Sequence, residues 1–272
     1  MRPADRVAGL DRWALARYRM CLLLVRTDAA PGTIVFPARN RARVVYAPRS
    51  AGGGDLARGL GVRPERRLVV LNGGTLELEP AVSARLGALL SEGLARVVAE
   101  EGLTVITGGT DAGVFALFGQ GLGEGATVTC IGVAPARLVT WPGRTPVPPE
   151  AVPLEPHHSH FVLVEGDRWG DETAVMMGLA DALAGDRPSV AVLAGGGTVA
   201  RRELLAHVDA GREVIVLAGS GRLADEIAAA VAGEAAPAGA ETREAVDRGR
   251  ITAFDTSRAA ADLRDLIRTR LR

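Results

Sequence analysis

The chain has 272 residues, 47% of them hydrophobic and 24% charged, so it contains enough apolar material for a core and disorder of the whole chain is excluded. Its 32 basic and 32 acidic residues give a formal net charge of zero, which argues against nucleic acid and membrane surfaces as partners. The sequence contains no lysine, which excludes both a P-loop lysine and a Schiff-base enzyme.

The two cysteines, Cys21 and Cys130, are too few for a disulfide framework or a thiolate metal site. The apolar block from Cys21 to Val25 is too short for a signal segment or a membrane span, so we predict a cytoplasmic protein without direct membrane insertion. No long polar linker divides the chain. We predict an N-terminal extension over residues 1–30 and a single Rossmann-like domain over residues 31–272.

The first 66 residues contain two candidate strands, Thr33 to Phe36 and Arg43 to Tyr46, and a predicted flexible turn from Ser50 to Gly54. From Arg67 onward, short apolar runs alternate with helical patterns. Such runs are typical of strands buried on both faces of a parallel sheet. The predicted strands are Leu68 to Leu71, Leu103 to Thr107, Thr127 to Val133, Phe161 to Val164, Ser189 to Ala194, Glu213 to Ala218 and Ile251 to Phe254.

Helical spacing of apolar residues predicts a long crossover helix between Pro80 and Gly102. Further helices are predicted over Asp111 to Leu122, Asp171 to Leu183, Val199 to Val208, Arg222 to Val231 and a last stretch from Ala260 to Leu271. Two segments have no clear period: Pro135 to His157, a candidate loop over a ligand, and Ala232 to Ala240, a predicted connector. The fold class is α/β, a Rossmann-like, doubly wound, mainly parallel sheet with helices on both faces.

Glycine clusters follow four of the predicted strands. Carboxyl ends of parallel strands share one edge, where glycine lets the backbone approach a ligand and the following helix directs N–H groups at an anion. We therefore predict a nucleotide-type ligand site, although each cluster on its own is also explained by the needs of a strand-to-helix turn. The predicted contacts are Gly73, Gly74, Gly108, Gly109, Thr110, Gly113, Gly195, Gly196, Gly197, Thr198, Gly219, Ser220, Gly221 and Arg222.

At these residues the chain resembles the SLOG superfamily, in particular its prokaryotic branch related to the N-terminal cytosolic region of the melastatin TRP channels, with a more distant likeness to phosphoribohydrolases of the LOG type. The likeness runs from about Ile34 to about Ala229. The segments that carry it are ITGGTDAGV (Ile106 to Val114), LEPHHSHFVLV (Leu154 to Val164), WGDE (Trp169 to Glu172), AGGGT (Ala194 to Thr198) and VIVLAGSGRLADEIA (Val214 to Ala228).

The resemblance implies a bacterial ligand-sensing domain that recognises an NAD-derived molecule such as ADP-ribose or a cyclic form. It also leaves open a LOG-like N-glycosidic hydrolase of a nucleoside monophosphate. The hydrolase pattern PGGxGTxxE departs from this chain, which has Arg201 at the position of the glutamate and Glu203 two residues later. We therefore expect binding without turnover, with Glu172 and Glu203 as the catalytic candidates if turnover occurs. Glu172 is also a predicted ligand contact, because a carboxylate at the ligand edge can accept both hydroxyls of a ribose.

Three histidines lie close together before the strand that begins at Phe161. His158 and His160 are candidates for ligand contact; alternatively, these two and His157 fasten a loop. We expect no metal site, because no tetrahedral ligand set is complete. Trp169 is a candidate to stack on a purine or to pack against its own helix. No cofactor is required in this interpretation. The sequence leaves open whether the chain forms a homodimer or larger homo-oligomer and whether it acts on an effector protein. A third hypothesis is a protein-interaction module with a degenerate pocket.

Overall fold

The computed structural model describes residues 32–37, 40–75, 79–124, 127–146 and 148–272. The strands in these ranges are β1 Gly32–Val35, β2 Arg41–Ala47, β3 Leu68–Gly73, β4 Thr104–Thr107, β5 Thr129–Pro135, β6 Val139–Thr140, β7 Val152–Pro153, β8 His160–Val164, β9 Ser189–Ala194, β10 Glu213–Ala218 and β11 Ile251–Asp255. The predicted extension over residues 1–30, with Cys21, lies outside the described residues.

Helices connect most of these strands. They are α1 Gly53–Leu60, α2 (the consecutive segments Pro80–Ala88, Leu89–Ala95 and Arg96–Glu101), α3 Gly113–Leu122, α4 Thr173–Ala184, α5 Thr198–Asp209, α6 Arg222–Val231, α7 Ala240–Arg248 and α8 Ala260–Arg270. The middle segment of α2 has π-helical hydrogen bonding. None of the helices that the structure describes combines the length and the apolar content that a membrane crossing needs.

A nine-stranded sheet with the order β1-β2-β8-β5-β4-β3-β9-β10-β11 forms the centre of the fold. Strands β1 and β2 pair in antiparallel fashion, and every other neighbouring pair is parallel. The chain passes from β3 to β4 and β5 on one side and later places β9 and β10 on the other side of β3. Strand order therefore reverses between β3 and β9, the position at which open α/β sheets bind ligands.

Side chains along β3 show how the two faces of the sheet are covered. Val69 and Leu71 pack with residues of α2, α3 and α8, whereas Leu68 and Val70 pack with residues of α1 and α4. This alternation follows from the two-residue period of a strand. Helices thus lie on both faces, which confirms the predicted Rossmann-like architecture.

The structure corrects several predicted boundaries. Helices α3 and α4 each begin two residues later than predicted, at Gly113 and Thr173. The predicted turn Ser50 to Gly54 instead leads into α1 at Gly53, whose backbone packs against the carbonyl of Gly178 so closely that a Cβ would overlap it. Helix α7, which follows the predicted connector, was not expected because only Thr242 and Ala245 of that helix are buried and the apolar period is correspondingly weak.

Candidate functional site

Three glycine turns meet at the switch point between β3 and β9. The N–H of Gly74 donates to the carbonyl of Ala194 (3.1 Å), and a Cβ placed on Gly74 would lie 3.3 Å from the nitrogen of Gly196. The N–H of Gly195 donates to Oγ of Ser220 (2.8 Å), which joins the turn after β9 to the turn after β10. The predicted convergence of these three turns is therefore present in the fold.

Their backbone conformations explain why glycine is used here. Gly195, Gly196, Gly219 and Gly221 have φ angles of 61°, 93°, 88° and 89°, a region that L-residues with a side chain rarely adopt. Arg222 follows Gly221 with φ 57° although it has a side chain. A left-handed residue that carries a side chain costs about 1–3 kcal/mol, and such residues are enriched at ligand-binding turns.

The turn after β4 is arranged differently. Gly109 and Thr110 are buried, because the proline-rich segment crosses them. The N–H of Glu155 donates to the carbonyl of Gly109 (2.9 Å), and the N–H of Asp111 donates to the carbonyl of Pro153 (2.8 Å). Gly108 lies against the ring of Phe115. We therefore leave Gly108, Gly109 and Thr110 out of the candidate site.

Gly113 is the one predicted residue of that turn that reaches the turn after β3. A Cβ at Gly113 would overlap the carbonyl oxygen of Gly74, and the N–H of Val114 donates to the same oxygen (3.2 Å). The proline-rich segment thus covers part of the predicted edge, and it contains the short paired strands β6 and β7.

The predicted histidines fasten this segment to the sheet. His158 is fully buried; its Nδ1 donates to Glu155 (2.7 Å), and its Nε2 is 2.7 Å from Oγ1 of Thr107. Both ring nitrogens are thus engaged by the protein, and direct ligand contact through His158 is blocked. His160 opens β8 beside Arg43, and burial, with the charge of Arg43, lowers its pKa to about 4. We leave both histidines out of the site.

Two buried carboxyl groups lie next to the glycine turns. Glu172 precedes α4 and accepts a hydrogen bond from the N–H of Gly170 (2.8 Å), whereas Glu203 lies within α5 and accepts one from Nδ2 of Asn72 (2.8 Å). Burial raises the pKa of each to about 7, and the charge of Glu172 contributes to the rise at Glu203. Both groups can therefore exchange a proton near neutral pH.

Arg201 occupies the position of the glutamate in the hydrolase pattern. Its guanidinium forms an ion pair with Glu226 of α6 (3.2 Å) and also donates to Thr242. It is therefore committed to holding α5 against α6 and α7, and Glu203 lies elsewhere on the same helix.

A hydrogen-bond chain that is buried except at Asp181, and that the sequence did not reveal, holds Glu203. Asp181 accepts from Arg212 (2.7 Å), Arg212 is 2.8 Å from Nδ1 of His207, and Nε2 of His207 is 2.7 Å from Oδ1 of Asn72. Burial, assisted by the charge of Arg212, lowers the pKa of His207 to about 3. Because arginine can only donate, Nδ1 must accept, Nε2–H must donate to Asn72, and the amide of Asn72 must donate to Glu203.

A signal for these hydrogen bonds was present in the sequence, since Asn72 follows four apolar residues of β3 and His207 lies on the buried face of a helix. Both features predict buried polar groups that need partners, but their pairing across the fold follows only from the structure. Within the described ranges, no group of three or more His, Cys, Asp or Glu residues is placed to hold a metal ion.

Comparisons with known proteins place this chain in a family. A family model described as "SLOG in TRPM, prokaryote" matches residues 66–264. No curated protein matches the chain significantly. Among solved structures, the molybdenum cofactor binding protein from the phototrophic bacterium Rippkaea orientalis is similar, with 15% identity and a TM-score of 0.47 over 75% of this chain and 96% of that one. Since the family model covers well over half of the sequence, the chain belongs to the prokaryotic family of SLOG domains related to those of TRPM channels.

Proposed function

We propose that the turns after β3, β9 and β10 bind a nucleotide-derived ligand, with an NAD-derived molecule such as ADP-ribose or a cyclic form as the expected class, and that the domain acts as a sensor of it. The observation that carries the proposal is a set of unused backbone donors. The N–H groups of Gly196, Gly197, Gly221 and Arg222 have no acceptor within the described part of the chain. Such donors at helix N-termini favour an anion.

Arg222 adds a charged group to these donors. Its side chain is exposed, and its Nη2 would lie 3.5 Å from a Cβ placed on Gly197, so the guanidinium bridges the turns after β9 and β10. A guanidinium beside several N–H groups suits the two oxygens of a phosphate. We assign Arg222, with Thr198 at the start of α5, to the phosphate of the ligand.

A melting-temperature panel tests this proposal. The panel contains ADP-ribose, its cyclic isomers, NAD and AMP, and a bound ligand at one hundred times its dissociation constant stabilises the fold by about 2.7 kcal/mol. Arg222→Asn removes the guanidinium but tolerates the positive φ, so it should retain the fold and lose most of the shift. Arg243→Asn, at an exposed position of α7, is the matched control and should respond like the wild type.

Native mass spectrometry of freshly purified protein complements the panel, since it detects a small molecule that travels with the chain. A panel in which no compound moves the melting curve, together with a mass that equals that of the bare chain, would count decisively against ligand binding at these turns. In that case a protein-interaction module with a degenerate pocket becomes the better hypothesis.

One observation favours hydrolysis of an N-glycosidic bond as a second candidate function. Glu172 and Glu203 both titrate near pH 7 beside the proposed ligand site, as a proton donor and an acceptor for such a cleavage would. Incubation with a nucleoside monophosphate, followed by chromatography, detects free base and sugar phosphate. Glu203→Gln and Glu172→Gln should each abolish any hydrolysis. If the wild type releases no free base even at high protein concentration, hydrolysis is refuted and the sensor function stands as the single proposal.

A further inference from the structure

Trp169 is one of only three large hydrophobic side chains in the described ranges that are clearly exposed, at 43% of its surface. A single exposed apolar residue is common on protein surfaces and by itself needs no explanation. Tryptophan, however, has the largest apolar surface of any side chain, and exposing it forgoes part of the stabilisation that its burial would give. The contacts of the loop that carries Trp169 indicate whether the exposed ring can serve ligand binding.

The loop that carries Trp169 is held rigidly by side chains on both sides of it. One oxygen of Asp171 accepts the N–H groups of Asp167 and Arg168, each at 3.1 Å, and the same oxygen is paired with the guanidinium of Arg49. Asp171 therefore closes this loop two residues before α4 begins.

Two further bonds complete the frame. Arg49 donates through Nε to the carbonyl of Glu165 (3.0 Å), and the carboxyl of Glu172 accepts the N–H of Gly170 (2.8 Å), directly after the tryptophan. The backbone on either side of Trp169 is therefore fixed by bonds that do not involve the indole ring. Because these bonds already order the loop, a ligand that meets the exposed part of the ring adds little cost in loop entropy.

The same loop lies against the proposed ligand site. A Cβ placed on Gly170, which has φ 100°, would be 3.5 Å from Cγ2 of Val199 and 3.8 Å from Nη1 of Arg202. Val199 belongs to the first turn of α5, directly after the glycine turn that follows β9. Trp169 is thus placed at the rim of the candidate site, one residue from the contact that joins the loop to it.

We propose that Trp169 is a specificity-determining residue, a stacking platform that selects ligands carrying a planar base, and that sugar phosphates without a base bind without using it. The proposal rests on the proposed function, because it assigns the second half of the same ligand. An indole ring stacks on any purine through its π-face, and the arginines at positions 168 and 202 add positive charge beside the platform. The turns would hold the phosphate, and the rim would hold the base.

Calorimetric titrations with ADP-ribose and with ribose 5-phosphate test this assignment on wild type, Trp169→Ala and Trp169→Phe. We expect Trp169→Ala to weaken ADP-ribose about 5- to 100-fold, as loss of one aromatic platform does. Ribose 5-phosphate should bind all three proteins within a factor of two of one another, about 0.4 kcal/mol. Trp169→Phe should recover most of the affinity for ADP-ribose, which a merely structural role of the indole would not require.

Fluorescence supplies a second readout. The chain has three tryptophans, so binding of ADP-ribose should quench emission in the wild type and in the matched control Trp141→Phe, but not in Trp169→Ala. If the wild type binds ADP-ribose and Trp169→Ala binds it equally well, or if both ligands weaken together, stacking is overturned while ligand binding stands. If the wild type binds neither ligand, the proposed function itself fails and the platform with it.

Discussion

Replacing Glu203 with glutamine should stabilise the protein, and the gain should grow as the pH rises. In the fold the pKa of Glu203 stands at about 7 instead of its ordinary 4.5. The folded chain therefore binds this proton more tightly than the unfolded chain, so the contribution of Glu203 to stability is greatest below pH 4.5 and is lost as the pH rises to about 7. With about 1.4 kcal/mol for each pH unit between the two pKa values, the loss amounts to about 3 kcal/mol.

Glutamine cannot ionise, and its side-chain oxygen still accepts from Asn72, so Glu203→Gln avoids this loss without breaking the hydrogen-bond chain. Urea unfolding followed by circular dichroism at pH 5, 6, 7 and 8 should show a gain of less than about 1 kcal/mol at pH 5 that rises to about 3 kcal/mol at pH 8. Glu234→Gln, an exposed carboxyl, is the control and should show no trend. A difference between variant and wild type that stays level from pH 5 to pH 8 would refute the assignment of a buried, ionising Glu203.

Three further predictions concern His207, Gly113 and Arg222. His207→Gln replaces a histidine whose pKa is lowered from 6.5 to about 3, so the stability that the neutral ring contributes is present above pH 6.5 and is lost as the pH falls toward 3. Between pH 7 and pH 4, the free energy of unfolding of the variant should therefore fall by about 3 kcal/mol less than that of the wild type, measured by calorimetry. Gly113→Ala, with φ 51° and overlap with the carbonyl of Gly74, should cost about 3 kcal/mol or more, whereas Gly211→Ala, with φ 66° and open space, should cost about 1 kcal/mol in urea unfolding. Arg222→Gly removes a side chain from a left-handed position and should leave urea stability unchanged or raise it by up to about 1 kcal/mol, while phosphate ligands bind about 10-fold more weakly by calorimetry.

The fold could be predicted from the sequence to a large extent, because its signals are local. Strands β9 and β10 were predicted with the bounds that the structure has, since each is an apolar run that ends in glycine. Their position on the side of β3 opposite β4 could not be predicted, because strand order depends on packing between distant elements. The glycine turns could be predicted for the same local reason, as carboxyl-end turns that precede a helix.

The candidate site was predictable only in part. Gly109 and His158 lie in segments that carry the family resemblance, yet Gly109 is covered by the proline-rich segment and both ring nitrogens of His158 are engaged by Glu155 and Thr107. Nothing in the spacing of either residue indicates these contacts. Asn72 and His207 are separated by more than a hundred residues, and each has an ordinary structural explanation. Their hydrogen bond follows from the parallel register of β3 and the placement of α5 beside it, which is tertiary information.

The hydrogen-bond chain also has a direction, and the direction limits what Glu203 can do. Donation starts at Arg212, passes through the neutral ring of His207 and the amide of Asn72, and ends on Oε2 of Glu203. No member can reverse, because arginine has no acceptor and the histidine nitrogen that faces it must accept. Because Oε2 already accepts from Asn72, a proton on Glu203 is favoured on Oε1. A ligand hydroxyl that meets Oε1 accepts a hydrogen bond below about pH 7 and donates one above it, so its bond is kept in both states. A ligand group that can only accept loses its bond above about pH 7, so only ligands of that kind should bind more weakly as the pH rises.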